Sequence, residues 1–266
     1  MRLTGERPIE GKTPESLLAL HAAGYREVLA RVGPGTLLDL GCGLGDGSAR
    51  FLASKRLRVT GVDYDPATAA QAARRHPGLV TTCSDAAALA LRWGTFDWAC
   101  SSHLIEHFHE PERHVAEVSR VLADHGVAFF ITPNAPADFE NPYHVHLFEP
   151  DDLERVLGRH FTDVQIWGLD GDPVVKADFE RRRRWARWLL RADVFDLRHR
   201  LPHDWYVRLH ASARRAAYPV LSLVGRLQAW QGSEPPERIT AARFSLVRPI
   251  DASTLVLFAV ARRPRR

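Results

Sequence analysis

The run Leu37-Leu-Asp-Leu-Gly-Cys-Gly-Leu-Gly-Asp-Gly-Ser48 places a buried strand directly before a turn containing alternate glycines. A strand entering such a turn and leaving as a helix belongs to a parallel α/β sheet, where the chain must bend sharply at the carboxyl edge. The rest of the chain fits that frame. Val- and Leu-rich runs alternate with helical patterns, and the spacing predicts strands at Thr36–Leu40, Arg58–Asp63, Leu79–Cys83, Phe96–Ser101, Gly126–Thr132, Thr162–Gly168 and Thr254–Ala261. Helices are expected at Thr13–Val32, Gly47–Ala53, Pro66–His76, Pro111–Leu122 and Pro150–Leu157, the first opened by Thr13-Pro-Glu. With 266 residues the chain can bury one large core and a modest appendage.

After Gly171 the pattern breaks. Residues 174–236 carry Glu180-Arg-Arg-Arg-Arg184, four of the seven tryptophans (Trp185, Trp188, Trp205, Trp230) and the apolar run Tyr218–Val224. Helical spacing recurs with interruptions at Pro202 and Pro219, and no β pattern returns until Arg243–Val247. Three segments follow: a core with an N-terminal helix over 1–173, a helical insertion over 174–236, and a return to the sheet over 237–266. Charge divides the same way, with 16 Lys/Arg against 23 Asp/Glu in residues 1–171, and 20 against 9 in residues 172–266. A basic, aromatic insertion suits an anionic small molecule, a glycan precursor or a lipid-linked acceptor at a membrane surface. Nucleic acid is a weaker fit because no RNA-binding module accompanies the charge. No apolar run approaches the roughly 18 residues of a membrane span, and the N-terminus carries no secretory pattern. Cys42, Cys83 and Cys100 fall near the ends of expected strands without metal-pair spacing, which points to a reducing, cytoplasmic compartment, with peripheral membrane contact left open.

The glycine turn excludes two ligands. A P-loop needs Gly-Lys-Ser/Thr, whereas Asp46 follows Gly45, and a carboxylate there repels a triphosphate. A dinucleotide fingerprint needs glycine three positions after Gly43, again the position of Asp46. Asp39 precedes the turn, Asp63 ends the second expected strand and can accept from ribose hydroxyls, and Asp85 follows the third. Three carboxylates and no cation suit a cationic nucleoside.

These residues resemble the class I S-adenosylmethionine-dependent methyltransferases over about residues 34–170 and the last strand. Phe96-Asp-Trp-Ala-Cys-Ser-Ser-His-Leu-Ile-Glu-His107 falls where later motifs of that family stand. Arg120-Val-Leu-Ala-Asp-His-Gly126 and Ile131-Thr-Pro-Asn134 are similar to the ubiquinone-type O-methyltransferase branch. The resemblance implies a Rossmann-like seven-stranded sheet of order 3-2-1-4-5-7-6, the last strand antiparallel, with S-adenosylmethionine as cofactor. Position by position, it implies that Asp39, Gly41, Cys42, Gly43 and Gly45 shape the methionine end. Asp63 would hold the ribose, Tyr64 would flank the adenine, and Asp85 with Ala86 would meet its edge. Ser101 and Ser102 would close the methyl-donor side.

Methyl transfer to oxygen gains from a base. His103, just after the serine pair, is the first candidate; His144 and His146 follow, sharing a face if their segment is extended. Glu106-His107 reads as a connector with His107 bonded to backbone, and His109 as exposed. His103-x-x-Glu106-His107 with a later histidine also resembles the ligand set of small-RNA 2′-O-methyltransferases. That family has glutamate where His103 stands, which counts against magnesium because hard cations prefer oxygen. Two or three imidazoles and a carboxylate suit a softer divalent ion better, so metal-assisted RNA 2′-O-methylation is an alternative, but with a single carboxylate no metal is assigned. A catalytically silent cofactor-binding partner protein is the alternative outside enzymes.

Overall fold

The computed structural model describes residues 13–138, 143–191 and 238–265, with side chains through Arg184 in the second stretch. The order of elements is α1 (Glu15–Leu29), β1 (Gly35–Leu40), α2 (Asp46–Ala53), β2 (Leu57–Asp63), α3 (Pro66–Arg75), β3 (Val80–Cys83), β4 (Phe96–Ser102), α4 (Pro111–Val121), β5 (Leu122–Pro133), α5 (Pro150–Gly158), β6 (Phe161–Gly171), α6 (Pro173–Arg191), β7 (Phe244–Val247) and β8 (Val256–Pro264). Short 3₁₀ turns stand at Ile105–His107 and Ala241–Arg243.

Eight strands form one sheet of order β3-β2-β1-β4-β5-β8-β6-β7. The first five pair in parallel; β8 runs antiparallel to both β5 and β6, and β7 antiparallel to β6. This is the expected order with one strand added at the edge. That strand is Phe244–Val247, inside the segment Arg243–Val247 where the β pattern returns, and it is held because Phe244 is buried. Side-chain alternation divides the core into two layers. Leu37, Cys100, Phe129, Ile131 and Phe258 face α1, α2 and α6, whereas Leu38, Leu40, Ala99, Phe130 and Leu257 face α4 and α5. Helix α6 runs across position 174, with Val175 and Phe179 buried in the first of these layers. Pro202, Trp205, Pro219, Tyr218–Val224 and Trp230 lie outside the described residues.

Several local expectations change. Leu122 fits the apolar stripe of α4, but its ψ of 145° has already left the helix and it pairs with Phe96 at the start of β5. Pro14, not Thr13, stands at the cap of α1, which has no side-chain cap bond. Asp65 caps α3 instead, accepting from Ala67 N at 3.3 Å with Pro66 in the first turn. Cys42 and Cys100 are buried as expected, but Cys83 is exposed because β3 is the edge strand.

The sheet order reverses between β1 and β4, and there the carboxyl ends of the strands open a crevice. Gly41, Gly43 and Gly45 have φ of 70°, 55° and 83°, so the turn from β1 to α2 is built from left-handed residues. Helix α1 closes over it. A Cβ on Gly47 would stand 2.1 Å from the Tyr25 ring. Gly47→Ala therefore forces Tyr25 or α2 to shift, and thermal unfolding should show a loss of about 1–3 kcal/mol, the usual cost of overpacking.

Candidate active site

The rim of the crevice is built from the ends of β1, β2 and β4. Asp39 is fully buried on the α1 side of β1, accepting from Ser48 Oγ at 2.5 Å and from Tyr25 Oη at 3.2 Å. Burial raises its pKa to about 7 against the two hydroxyl bonds that oppose it. Its carboxylate thus ties α1 and α2 to the base of the turn. Cys42 N donates to Val62 O at 2.9 Å, carrying the β1–β2 ladder one step into the turn, and Cys42 Sγ packs where a Cβ of Gly61 would be. Asp63, 4% exposed at the end of β2, accepts from Gly43 N at 3.1 Å through one oxygen and from Asp65 N at 2.9 Å through the other. Tyr64 beside it is 60% exposed. Asp85 is exposed, its carboxylate accepting from Ala87 N at 2.8 Å, and Ala86 is buried.

Ser101 and Ser102 do not act as a pair. Successive residues of a strand point to opposite faces, so Ser101 turns away toward α4 while Ser102 shares the face of Cys100. Ser102 Oγ is buried with no hydrogen-bond partner. Ser101 Oγ meets His114 Nε2 at 2.9 Å, and His114 Nδ1 meets Ala86 O at 2.9 Å. A carbonyl only accepts, so Nδ1 carries the proton and Nε2 accepts from the serine hydroxyl. Fully buried His114 therefore pins the loop at Ala86 to the end of β4. Sequence reading had passed over it on the α4 stripe, where it directly precedes Val115.

A second cluster stands past the end of β4. His103 holds a left-handed φ of 50°, uncommon for a residue with a side chain. Its ring lies 4.1 Å from that of His21 on α1, its Nδ1 3.6 Å from Glu106 Oε1, and its Nε2 is buried without a partner. Burial, with the charge of His103 beside it, lowers the pKa of His21 well below the usual value. Glu106 is 1% exposed; Thr132 Oγ1 donates to its Oε2 at 3.1 Å, while Oε1 lies 3.9 Å from His144 Nε2. Burial alone would raise the Glu106 pKa, but the neighbouring His103, His144 and His107 bring it down to about 2. His144 Nδ1 reaches Asp138 Oδ2 at 2.6 Å, and although burial opposes it, this bond raises the His144 pKa. His107 Nδ1 lies 2.8 Å from Tyr143 O, the backbone bond expected of it.

His144 and His146 part company. Their segment is bent rather than extended, with Val145 N and His146 N both donating to Glu106 O, at 3.0 and 3.1 Å. His146 accordingly packs on Phe148, ring centres 4.4 Å apart, while His144 joins Glu106. The sequence marks Glu106 only as part of a connector and a possible ligand set, and does not mark His21 at all: their meeting with His103 depends on how the 3₁₀ turn and α1 pack.

A methyltransferase domain family matches residues 38–130. A probable S-adenosylmethionine-dependent methyltransferase of Mycolicibacterium smegmatis is 33% identical over 224 residues, covering 73% of this chain and 87% of that one. Ajmaline N-methyltransferase of Rauvolfia serpentina is 32% identical over 141 residues, covering 50% and 47%. A crystal structure of an S-adenosylmethionine-dependent methyltransferase of Thermotoga maritima, described as a possible histamine N-methyltransferase, has a TM-score of 0.57 at 12% identity, covering 92% of this chain and 90% of that one. The chain belongs to the class I S-adenosylmethionine-dependent methyltransferases. Its cofactor is S-adenosylmethionine, and the crevice suits it: a left-handed glycine turn admits close approach, and Asp63 and Ser102 hold polar atoms at its rim.

Burial lowers the His114 pKa to about 4, so the folded protein resists a proton that the unfolded chain takes up near pH 6.5. Stability is unaffected above that value and falls on acidification toward pH 4, by about 1.4 kcal/mol per pH unit at most. Asp39, with its pKa raised from 3.8 to about 7, contributes the opposite slope across this whole range. The test is therefore differential: urea unfolding of His114→Gln and wild type should differ in slope between pH 4 and 6.5 and run parallel above pH 7.

Proposed function

We propose that the protein methylates an oxygen of a small, glycan or lipid-linked acceptor, with His103 as the general base. The observation that carries this reading is His103 Nε2, buried without a partner one residue beyond Ser102. S-adenosylmethionine, when bound, supplies an electrophilic methyl group on a sulfonium. Asp39 and the Gly41–Gly45 turn shape the methionine end, Asp39 acting from beneath through Tyr25 and Ser48. Asp63, at the end of β2 and bonded to Gly43 N and Asp65 N, accepts the ribose hydroxyls. Tyr64 covers the adenine face, and Asp85 with Ala86 meets its edge, the latter steadied by His114. Ser102 lines the donor side; Ser101 serves only through His114.

At His103 the carboxylate of Glu106 faces Nδ1, which favours the tautomer with its lone pair on Nε2, the atom that takes the acceptor's proton. The similarity to the ubiquinone-type branch supports oxygen as the nucleophile. Nitrogen is the second reading, supported by the similarity to ajmaline N-methyltransferase. The basic stretch from Lys176 to Arg184 borders the core, and Arg183 donates to Pro136 O just past β5, so an anionic group on the acceptor would meet positive charge there. Location in the cytoplasm with peripheral membrane contact belongs to the same reading; no helix among the described residues is long and apolar enough to cross a membrane.

Asp63→Ala should weaken S-adenosylmethionine binding by more than tenfold in calorimetry, and an unchanged affinity would remove the ribose role. His103→Ala should leave that affinity within about twofold while lowering turnover 10²- to 10⁴-fold, the usual contribution of a general base. An unaltered rate clears His103 of base chemistry. Full cofactor affinity with no transfer to any hydroxyl or amine acceptor would instead favour a silent partner protein.

A further inference from the structure

Glu106, His107 and His144 each offer one ligand atom, and the three atoms lie within 4.8 Å of one another. All three side chains are oriented by a hydrogen bond made through the other polar atom. Thr132 Oγ1 holds Glu106 Oε2, leaving Oε1 buried with no hydrogen bond. Tyr143 O accepts from His107 Nδ1, and Asp138 Oδ2 accepts from His144 Nδ1. Both imidazoles are thereby set in the tautomer with the lone pair on Nε2, and His144 Nε2 faces Glu106 Oε1. An acceptor behind each imidazole and a buried carboxylate oxygen without a hydrogen bond near both is the arrangement that metal ligands take, where outer partners fix the tautomer and raise ligand basicity. Left without an ion, the buried Oε1 carries a desolvation cost that His103 Nδ1 at 3.6 Å and His144 Nε2 at 3.9 Å, both beyond hydrogen-bond length, offset only through space.

We propose that Glu106, His107 and His144 bind a borderline divalent transition-metal ion of the zinc or cobalt class. Two nitrogens and one oxygen are too soft a set for magnesium, which takes oxygen ligands, and they match the two-histidine, one-carboxylate sites that keep a position open. Tetrahedral zinc with bonds of about 2.1 Å needs ligand atoms about 3.4 Å apart, so the widest pair closes by about 1.4 Å on binding. His103 stays outside the set, its Nε2 unpartnered among the described residues. The site lies just beyond the methyl-donor serine, where an acceptor hydroxyl could take the fourth position and lose its proton more readily.

Calorimetric titration of the full chain, stripped with chelator and without cofactor or acceptor, tests the site independently of the methyl-transfer reading. Zn²⁺ and Co²⁺ should each bind at one ion per chain, with Co²⁺ developing visible absorption of a four- or five-coordinate complex. His144→Ala and His107→Ala should each abolish saturable binding. Asp138→Asn, which spares all three ligands, should weaken it 10- to 100-fold. Retained S-adenosylmethionine affinity in each variant shows that the fold is intact, and Asp138→Asn serves where a ligand variant fails to fold. Absence of saturable Zn²⁺ and Co²⁺ binding, binding undiminished in both histidine variants, or a preference for Mg²⁺ overturns the assignment.

Discussion

The carboxylate of Asp39 is the point on which the crevice is assembled. It ends β1 with no exposure and is met by Tyr25 from α1 and Ser48 from α2. A buried polar group must find partners or cost a few kcal/mol, and here the partners come from the two helices that must close on the glycine turn. Tyr25 also fills the space left by Gly47, so hydrogen bonding and packing demand the same placement of α1. Asp63 repeats the device one strand away, holding Gly43 N across the turn. Two carboxylates, neither of them on the turn itself, thus fix the path of a backbone whose glycines alone would leave it free.

What could be read from the sequence was whatever depends on neighbours along the chain. Asp39, the glycine turn and Asp63 stand at set distances from strand ends, and a strand's end is visible in its apolar run. The parallel order followed from the alternation of strands and helices. Side-chain parity is equally local: alternation alone sends Ser101 and Ser102 to opposite faces, and His114 then waits on α4 for the first of them. Other features depend on contacts between distant segments. Nothing local to His21, 82 positions before His103, marks it as stacking on that ring. The divergence of His144 and His146 arises because one carbonyl, Glu106 O, accepts from two successive amides and bends the segment. The β pattern at Arg243–Val247 is legible, but its place at the edge beside β6 depends on Phe244 having a core to enter.

The ends of β1 and β4 hold carboxylates that are almost equally inaccessible yet titrate in opposite directions. Asp39 meets only hydroxyls, which donate without carrying charge, and desolvation wins, raising its pKa to about 7. Glu106 meets imidazoles, whose charge outweighs the same penalty and lowers its pKa to about 2. Burial is therefore shared, and the partners decide. At β1 the arrangement makes a structural tie that tolerates neutrality. At the turn after β4 it makes a permanent anion surrounded by bases, with His103 on one side and His107 and His144 on the other. Oε1 of Glu106 lies 3.6 Å from His103 Nδ1 and 3.9 Å from His144 Nε2, so the rings on its two sides, not its depth, set its ionisation.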